Sequence, residues 1–139
     1  MLHLHLIDKD WTLFLDRDGV INYEKEADYI RNPTEFRFYE GVPEAIGIFS
    51  QRFGRIFVVT NQKGIGKGLM TEEDLQIIHD HMLSAIIKHG GRLDRIYFCP
   101  DLDEASPNRK PNPGMGFQAK ADFPEIDFSK IYSPPPAGS

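Results

Sequence analysis

Two aspartates separated by one residue, Asp16 and Asp18, end an apolar run near the start of the chain. Neighbouring carboxylates disfavour each other's ionisation unless a positive group shares their site. A divalent cation such as Mg²⁺ removes this penalty, and Mg²⁺ commonly binds one or two carboxylates together with a substrate phosphate. The pair therefore indicates a site for Mg²⁺ and a phosphorylated ligand, with Asp16 and Asp18 as the metal ligands.

Polar groups elsewhere in the chain are suited to binding phosphate oxygens. They are the hydroxyl of Thr60, the backbone N–H groups of the glycine-containing segment 63–68 and the ammonium of Lys110. An aspartate can attack phosphorus and form an aspartyl-phosphate that water later hydrolyses. In that chemistry Asp16 is the nucleophile, Asp18 first donates and later accepts a proton, and Lys110 offsets the charge of the phosphoryl group.

Each of these features also has a simpler structural explanation. Asp-X-Asp-Gly sequences are common in turns, Thr60 and Asn61 could cap a turn or a helix, and segment 63–68 lacks the spacing of a P-loop. Lys110 lies next to Pro111 and is compatible with a solvated loop. The hypothesis of one shared site therefore depends on the elements that would bring these residues together.

Four short apolar runs, rich in β-forming residues, predict buried strands at residues 11–15, 55–60, 94–99 and 130–133. Helical patterns lie between them, which predicts a parallel sheet with right-handed crossovers in an α/β fold of the doubly wound kind. In such a sheet, ligands bind beyond the carboxyl ends of the strands. Because the candidate residues follow successive strands, we expect them to meet at this edge.

Two helical patterns connect these strands. Residues 41–53 place Pro43 in the first turn of a short crossover helix. Thr71 and Asp74 form a capping-box pattern, and the apolar residues after them recur at helical intervals until the glycine pair at 90–91. These patterns predict a short helix before the second strand and a longer one after it.

Three further segments lie outside this alternation. Residues 23–40 are charged and aromatic and predict a small flap over the end of the first strand. Alternating Leu and His residues at the start predict a short edge strand, in which His3 and His5 are assigned no role because metal sites need more ligands. Residues 134–139 predict a flexible tail, so that 1–133 form a single domain.

The composition restricts the class of protein. The chain has 139 residues, and its 16 Lys and Arg against 21 Asp and Glu give a formal charge of -5. This balance argues against a nucleic-acid or membrane-surface binder, so the expected partner is a small phosphorylated metabolite. One cysteine and no long apolar or leader segment predict a cytoplasmic protein, whose oligomeric state remains open.

Three segments resemble the first three motifs of the haloacid-dehalogenase-like phosphatases: FLDRDGVIN at 14–22, VVTNQKGIGKG at 58–68 and RKPNPGM at 109–115. Within this superfamily they are similar to the branch of D,D-heptose 1,7-bisphosphate phosphatases and histidinol-phosphate phosphatases. The resemblance implies a Rossmann-like, three-layer α/β/α fold with a mainly parallel sheet, a small flap and no large cap. It also implies Mg²⁺ dependence and hydrolysis of a small phosphomonoester through an aspartyl-phosphate.

The resemblance implies roles for individual residues as well. Asp16 matches the family's nucleophile and Asp18 its acid/base, while Thr60 and Lys110 complete the catalytic set. The positions that match phosphate-binding or substrate-binding residues are Asn61, Gln62, Lys63, Gly64 and Arg109. We also expect the lysines of segment 63–68 to recognise a second phosphate, because that segment borders the predicted crevice.

The chain departs from the family pattern in two places. The loop after the third predicted strand keeps only Cys99 of the family's Cys/His zinc set, so we predict no zinc. After the fourth strand, Pro-Pro-Pro-Ala-Gly-Ser stands where the family has a Gly-Asp motif that completes the Mg²⁺ site. The resemblance therefore predicts that a C-terminal part of the fold is missing. It leaves open an alternative function, a catalytically impaired domain that binds a phosphorylated ligand or another protein.

Overall fold

The computed structural model describes residues 4–137, and a four-stranded sheet forms its centre. The strands are β1 (Thr12–Leu15), β2 (Arg55–Asn61), β3 (Arg95–Cys99) and β4 (Ile131–Tyr132). Their order across the sheet is β3-β2-β1-β4, and all three pairings are parallel. The carboxyl ends of the strands therefore lie along one edge, as the alternation of strands and helices predicts.

The α-helices within residues 4–137 are α1 (Val42–Arg52), α2 (Lys63–Gly66), α3 (Glu72–Lys88) and α4 (Gly114–Asp122). The proline in the first turn of α1 and the reciprocal capping box of Thr71 and Asp74 at the start of α3 are both confirmed. Helix α2 is a single turn within the segment predicted as a loop. Helix α4 is not predicted from the sequence, because it buries only Met115 and Ala119. None of the described helices is long and apolar enough to cross a membrane.

The two faces of the sheet bury different residues because side chains alternate along each strand. On one face, Leu13 and Ile56 belong to a cluster that includes the buried apolar residues of α1 and α3. On the other face, Phe14 and Phe57 pack in a cluster with Met115 of α4. The sheet thus lies between two helical layers, and the predicted three-layer α/β/α architecture is confirmed.

One backbone hydrogen bond closes the flap, and another fastens it to the loop after β1. The N–H of Tyr23 donates to the carbonyl of Arg37 at 2.9 Å, and the N–H of Tyr39 donates to the carbonyl of Ile21 at 3.0 Å. One 3₁₀ turn, Pro33–Glu35, lies within the flap. This short segment covers the carboxyl end of the sheet, and residues 4–137 contain no separate cap domain.

The N-terminal segment differs from the prediction. Leu4–Leu6 form a 3₁₀ turn instead of an edge strand. The physical reason is local hydrogen bonding, because the N–H of Ile7 donates to the carbonyl of Leu4 at 3.0 Å and closes the turn. His3 lies outside the described residues, as do the last two residues of the predicted tail. Within the tail, the N–H of Ala137 donates to the carbonyl of Gly19 at 2.8 Å.

Candidate active site

The carboxylate of Asp16 and the ammonium of Lys110 form an ion pair at the carboxyl end of the sheet. Asp16 follows β1 directly, and Lys110 lies in the loop between β3 and α4. The Nζ atom of Lys110 is 2.7 Å from Oδ2 of Asp16, while the other oxygen of Asp16 accepts the N–H of Arg17 at 2.8 Å. The side chains of Asp16 and Lys110 are 38% and 28% exposed, so a ligand could reach both groups.

The side chain of Asn61, the last residue of β2, holds the backbone of Lys110. Its Nδ2 donates to the carbonyl of Lys110 at 3.1 Å, and its Oδ1 accepts the N–H of Lys110 at 2.9 Å. The sequence predicts Asn61 as a substrate ligand. In the structure Asn61 also has a positioning role, because these two hydrogen bonds fix the Lys110 backbone where its ammonium is near Asp16.

Asp18 lies at the centre of a hydrogen-bond network. Its Oδ1 accepts from Arg17 Nη2 and from Asn22 Nδ2, both at 2.9 Å, and its Oδ2 accepts from Gln62 Nε2 at 3.3 Å. The same Gln62 nitrogen donates to Thr60 Oγ1 at 2.8 Å. Donors from three directions therefore fix the orientation of the Asp18 carboxylate, whose side chain remains 29% exposed.

Thr60 and Gln62 are almost fully buried, with 1% and 2% of their surfaces exposed. The sequence predicts both to contact the ligand. In the structure, the amide of Gln62 connects Thr60 to Asp18, so the contact that the structure shows for Gln62 is with the site's own side chains. Thr60 and Gln62 thus lie beside the carboxylates, at the end of the sheet where the sequence predicts them.

A cavity of about 500 Å³ lies between the flap and the strand ends. The residues that line it include Asp18, Tyr29, Asn61, Lys63 and Lys67. Thus the predicted Lys63 faces the same space as Asp18. The Nζ atom of Lys67 lies 5.2 Å from the centre of the Tyr29 ring, a distance suited to a cation–π contact.

Gly64 and Arg109 are predicted to bind substrate, but in the structure each contacts other parts of the protein. A Cβ atom at the buried Gly64 would lie 3.1 Å from Cγ of Tyr29, so glycine allows α2 to pack against the flap. The guanidinium of Arg109 donates to the carbonyl of Leu102 at 3.0 Å, within its own loop. The structure therefore does not bring these two side-chain positions into the cavity beside Asp18.

Three residues of the network around Asp18 are absent from the sequence-based prediction. Arg17 is fully buried, and its Nη1 donates to Nε2 of His79 on α3 at 3.2 Å. Burial, and secondarily the charge of Arg17, lower the pKa of His79 to about 4, against smaller opposing effects of the carboxylates of Asp18 and Asp80. The third residue is Asn22, the last residue of the first motif, which donates to Asp18. A polar residue on the apolar face of a predicted helix is the signal that could have identified His79.

Asp16 and Asp18 are the residues that fit a divalent cation. Both carboxylates are partly exposed and Asp18 lines the cavity, and Mg²⁺ needs only one or two carboxylates when water and phosphate supply its other ligands. Within residues 4–137 there is no cluster of three or more His, Cys, Asp or Glu that could hold a metal ion. The donor set thus fits Mg²⁺ bound together with a phosphate. Cys99 is buried in β3.

Comparison with curated proteins identifies close relatives, although no protein-family model matches the chain. It is 41% identical over 115 residues to the D-glycero-alpha-D-manno-heptose-1,7-bisphosphate 7-phosphatase of Campylobacter jejuni, which covers 83% of this chain and 65% of that protein. It is 33% identical over 127 residues to the D-glycero-beta-D-manno-heptose-1,7-bisphosphate 7-phosphatase of Rhodopseudomonas palustris, covering 86% of this chain and 69% of that protein.

A solved structure supports the same assignment. The D,D-heptose 1,7-bisphosphate phosphatase from B. bronchiseptica, complexed with magnesium and phosphate, superposes with a TM-score of 0.76 at 34% identity. The match covers 82% of this chain and 64% of that chain. The chain therefore spans slightly less than two thirds of the length of the C. jejuni and B. bronchiseptica proteins. On these grounds the chain belongs to the heptose-bisphosphate phosphatase branch of the haloacid-dehalogenase-like phosphatases.

Proposed function

We propose that the chain is a Mg²⁺-dependent phosphatase that hydrolyses a small sugar phosphate through an aspartyl-phosphate on Asp16. The observation that carries this proposal is the ion pair of Asp16 with Lys110. Asp16 lies at a strand end, two residues before Asp18. The relatives support a heptose bisphosphate as the substrate, because the C. jejuni and R. palustris proteins are named for it. Histidinol phosphate is the second substrate class to be tested.

In the first step, an oxygen of Asp16 attacks phosphorus and the bond from phosphorus to the ester oxygen breaks. Asp18 transfers a proton to that oxygen, so the sugar leaves as an alcohol. The Lys110 ammonium lies 2.7 Å from Asp16, which suits it to contact the phosphoryl oxygens and offset their charge. Mg²⁺, if held by Asp16 and by an oxygen of Asp18 other than the one that carries the proton, would supply further charge neutralisation.

In the second step, water attacks the phosphorus of the aspartyl-phosphate. Asp18, which is now ionised, accepts a proton from the water, and the bond from phosphorus to the Asp16 oxygen breaks. Inorganic phosphate leaves and Asp16 is regenerated as a carboxylate. The three donors that orient Asp18 serve both steps, because the same oxygen must face the leaving alcohol first and the water afterwards.

The size of the cavity supports a small substrate, and two of its lysines suit a phosphate group. Its volume of about 500 Å³ falls within the range of about 300–1,000 Å³ that is typical of small-molecule sites. Lys63 and Lys67 line the cavity, and both suit a second phosphate group. A bisphosphate would thus place its reacting phosphate at Asp16 and its other phosphate near these lysines.

The test is phosphate release from heptose 1,7-bisphosphate and histidinol phosphate, with Mg²⁺ and with EDTA, by the wild-type chain and by Asp16→Asn. We expect release by the wild type with Mg²⁺ alone, and background release by the variant. Trapping of a phosphorylated wild-type protein by rapid acid quench would identify the intermediate. Equal background release by both proteins would contradict the proposal.

The alternative of a domain that binds without turnover gains no support from the relatives, which are named as phosphatases. An experiment can nevertheless distinguish this alternative from a phosphatase. A chain that binds inorganic phosphate in a calorimetric titration, yet releases none from either substrate, would be such a domain. Wild-type turnover that depends on Asp16 would exclude this alternative.

A further inference from the structure

A buried histidine on α3 is connected to Asp18 through one intervening side chain. Nη1 of Arg17 lies 3.2 Å from Nε2 of His79, and Nη2 of the same guanidinium lies 2.9 Å from Oδ1 of Asp18. His79 is 5% exposed and Arg17 is fully buried. Two hydrogen bonds thus join α3 to the loop that carries the proposed acid/base, although His79 and Arg17 are 62 positions apart in sequence.

The buried guanidinium of Arg17 depends on these contacts. A buried charge is costly unless it is paired and its N–H groups find acceptors. Asp18 supplies the opposite charge and His79 supplies an acceptor, whereas Nε of Arg17 has no hydrogen-bond partner within residues 4–137. With one N–H already unpartnered, loss of the His79 acceptor would leave a second polar group of the guanidinium unsatisfied.

The geometry also determines the state of the histidine ring. A guanidinium has only donors, so Nε2 of His79 must accept, and the ring proton must lie on Nδ1. The pKa of His79, lowered to about 4 chiefly by burial, is consistent with a neutral ring at neutral pH. His79 is therefore a fixed acceptor that faces the guanidinium from the helical layer.

We propose that His79 is a positioning residue for the phosphoryl-transfer reaction. By accepting from Arg17, it holds the guanidinium against Oδ1 of Asp18 and so orients the carboxylate that transfers the proton. This inference rests on the proposed phosphatase function. Asn22 and Gln62 also hold Asp18, so loss of His79 should misorient the carboxylate without abolishing turnover.

Three variants separate positioning from simple packing. His79→Leu fills the space but removes the acceptor, while His79→Gln keeps a side-chain oxygen that could accept from Arg17. Met82→Leu is the matched control, because Met82 is buried on the same helix and the change conserves volume. All three variants should be compared with the wild type by circular dichroism and thermal unfolding before kinetics.

The decisive measurement compares two leaving groups. Hydrolysis of an alkyl phosphate needs a proton on the leaving oxygen, whereas p-nitrophenolate leaves readily without one. We expect His79→Leu to lower kcat for the sugar phosphate by about tenfold, a fraction of the 10²–10⁴-fold that general acid–base catalysis contributes. For p-nitrophenyl phosphate we expect a much smaller loss. His79→Gln should recover part of the difference, and Met82→Leu should leave the ratio unchanged.

Equal losses for both substrates in His79→Leu would overturn the inference, because a purely structural defect lowers both rates alike. If the wild type hydrolyses neither substrate, the proposed function fails, and crystal structures then decide the inference separately. An Asp18 carboxylate displaced in His79→Leu relative to the wild type would support the positioning role. An unchanged Asp18 rotamer in that variant would refute it.

Discussion

The side-chain amide of Asn61 holds the backbone of Lys110 through two hydrogen bonds, one in each direction. The two residues are 49 positions apart, at the end of β2 and in the loop before α4. Since Lys110 in turn contacts Asp16, the geometry of the ion pair depends on the amide of Asn61. This relationship leads directly to the first prediction.

Replacing Asn61 by alanine should impair turnover by displacing Lys110. Misplacement of a reacting group by about 1 Å can cost 10²-fold in rate, so we expect kcat to fall by about 10–100-fold. Steady-state kinetics with a sugar phosphate would measure the loss. Asn112→Ala is the control, because Asn112 holds the carbonyls of Glu104 and Ser106 in the same loop. A larger effect of the control variant than of Asn61→Ala would contradict this role.

Removing the ammonium of Lys110 should weaken phosphate binding and slow the reaction. Loss of a group that stabilises transition-state charge typically costs about 10²–10³-fold in kcat, and we expect a loss of that size for Lys110→Met. Calorimetric titration with inorganic phosphate would report the binding defect separately. Lys88→Met, on the exposed end of α3, should behave as the wild type. Unchanged phosphate affinity and kcat in Lys110→Met would show that the ion pair with Asp16 is structural.

Acidification should destabilise the protein through His79. The pKa is about 6.5 in an unfolded chain and about 4 in the folded protein, so between these values the unfolded state binds more protons. Stability from the neutral ring is therefore fully present above pH 6.5 and is lost as the pH falls towards 4. The loss amounts to about 3 kcal/mol at most, at 1.36 kcal/mol for each pH unit.

Urea unfolding of the wild type and of His79→Gln at pH 7, 5.5 and 4.5 would measure this dependence. The glutamine variant should lose less stability over this range, although it starts from a lower value at pH 7. Parallel curves for the two proteins would mean that His79 does not carry the acid sensitivity. The carboxylates whose pKa values are lowered, such as Asp28 and Glu35, act in both proteins alike.

A methyl group at Gly64 should disturb the contact between α2 and the flap. The added Cβ would lie 3.1 Å from Cγ of Tyr29 and 3.2 Å from the sulfur of Met70. Overpacking of this kind costs about 1–3 kcal/mol, which thermal unfolding of Gly64→Ala would detect. Gly116→Ala is the matched control, because no atom lies within 4 Å of the corresponding Cβ in α4. We expect Gly116→Ala to keep or raise the melting temperature.

The zinc content of the protein is a further testable property. Cys99 is 1% exposed in β3, and a thiolate without several Cys or His neighbours is a poor zinc ligand. Elemental analysis of protein purified without chelators should find no stoichiometric zinc. A ratio near one zinc per chain would contradict this prediction. It would also direct attention to ligands from the loop after β3.

The sequence was sufficient to predict the strands and helices wherever the local residue patterns are strong. The apolar runs located all four strands to within a residue or two, and Thr71 with Asp74 identified the start of α3, because alternation and capping act between residues close in sequence. The motifs around Asp16 and Lys110 likewise predicted that these residues meet at the strand ends, where the structure pairs them. The N-terminal turn and α4 were not predicted from the sequence, since a local hydrogen bond closes the first and the second buries only two residues.

The sequence by itself therefore determined the order of strands along the chain, the main helices and the candidate carboxylates with their lysine. Only the tertiary structure decided that Asn61 holds the backbone of Lys110, and that Arg17 connects Asp18 to His79. The physical reason is that a hydrogen bond forms between whichever groups the packing brings within about 3 Å. For side chains 49 and 62 positions apart, that distance depends on how the helices cover the sheet.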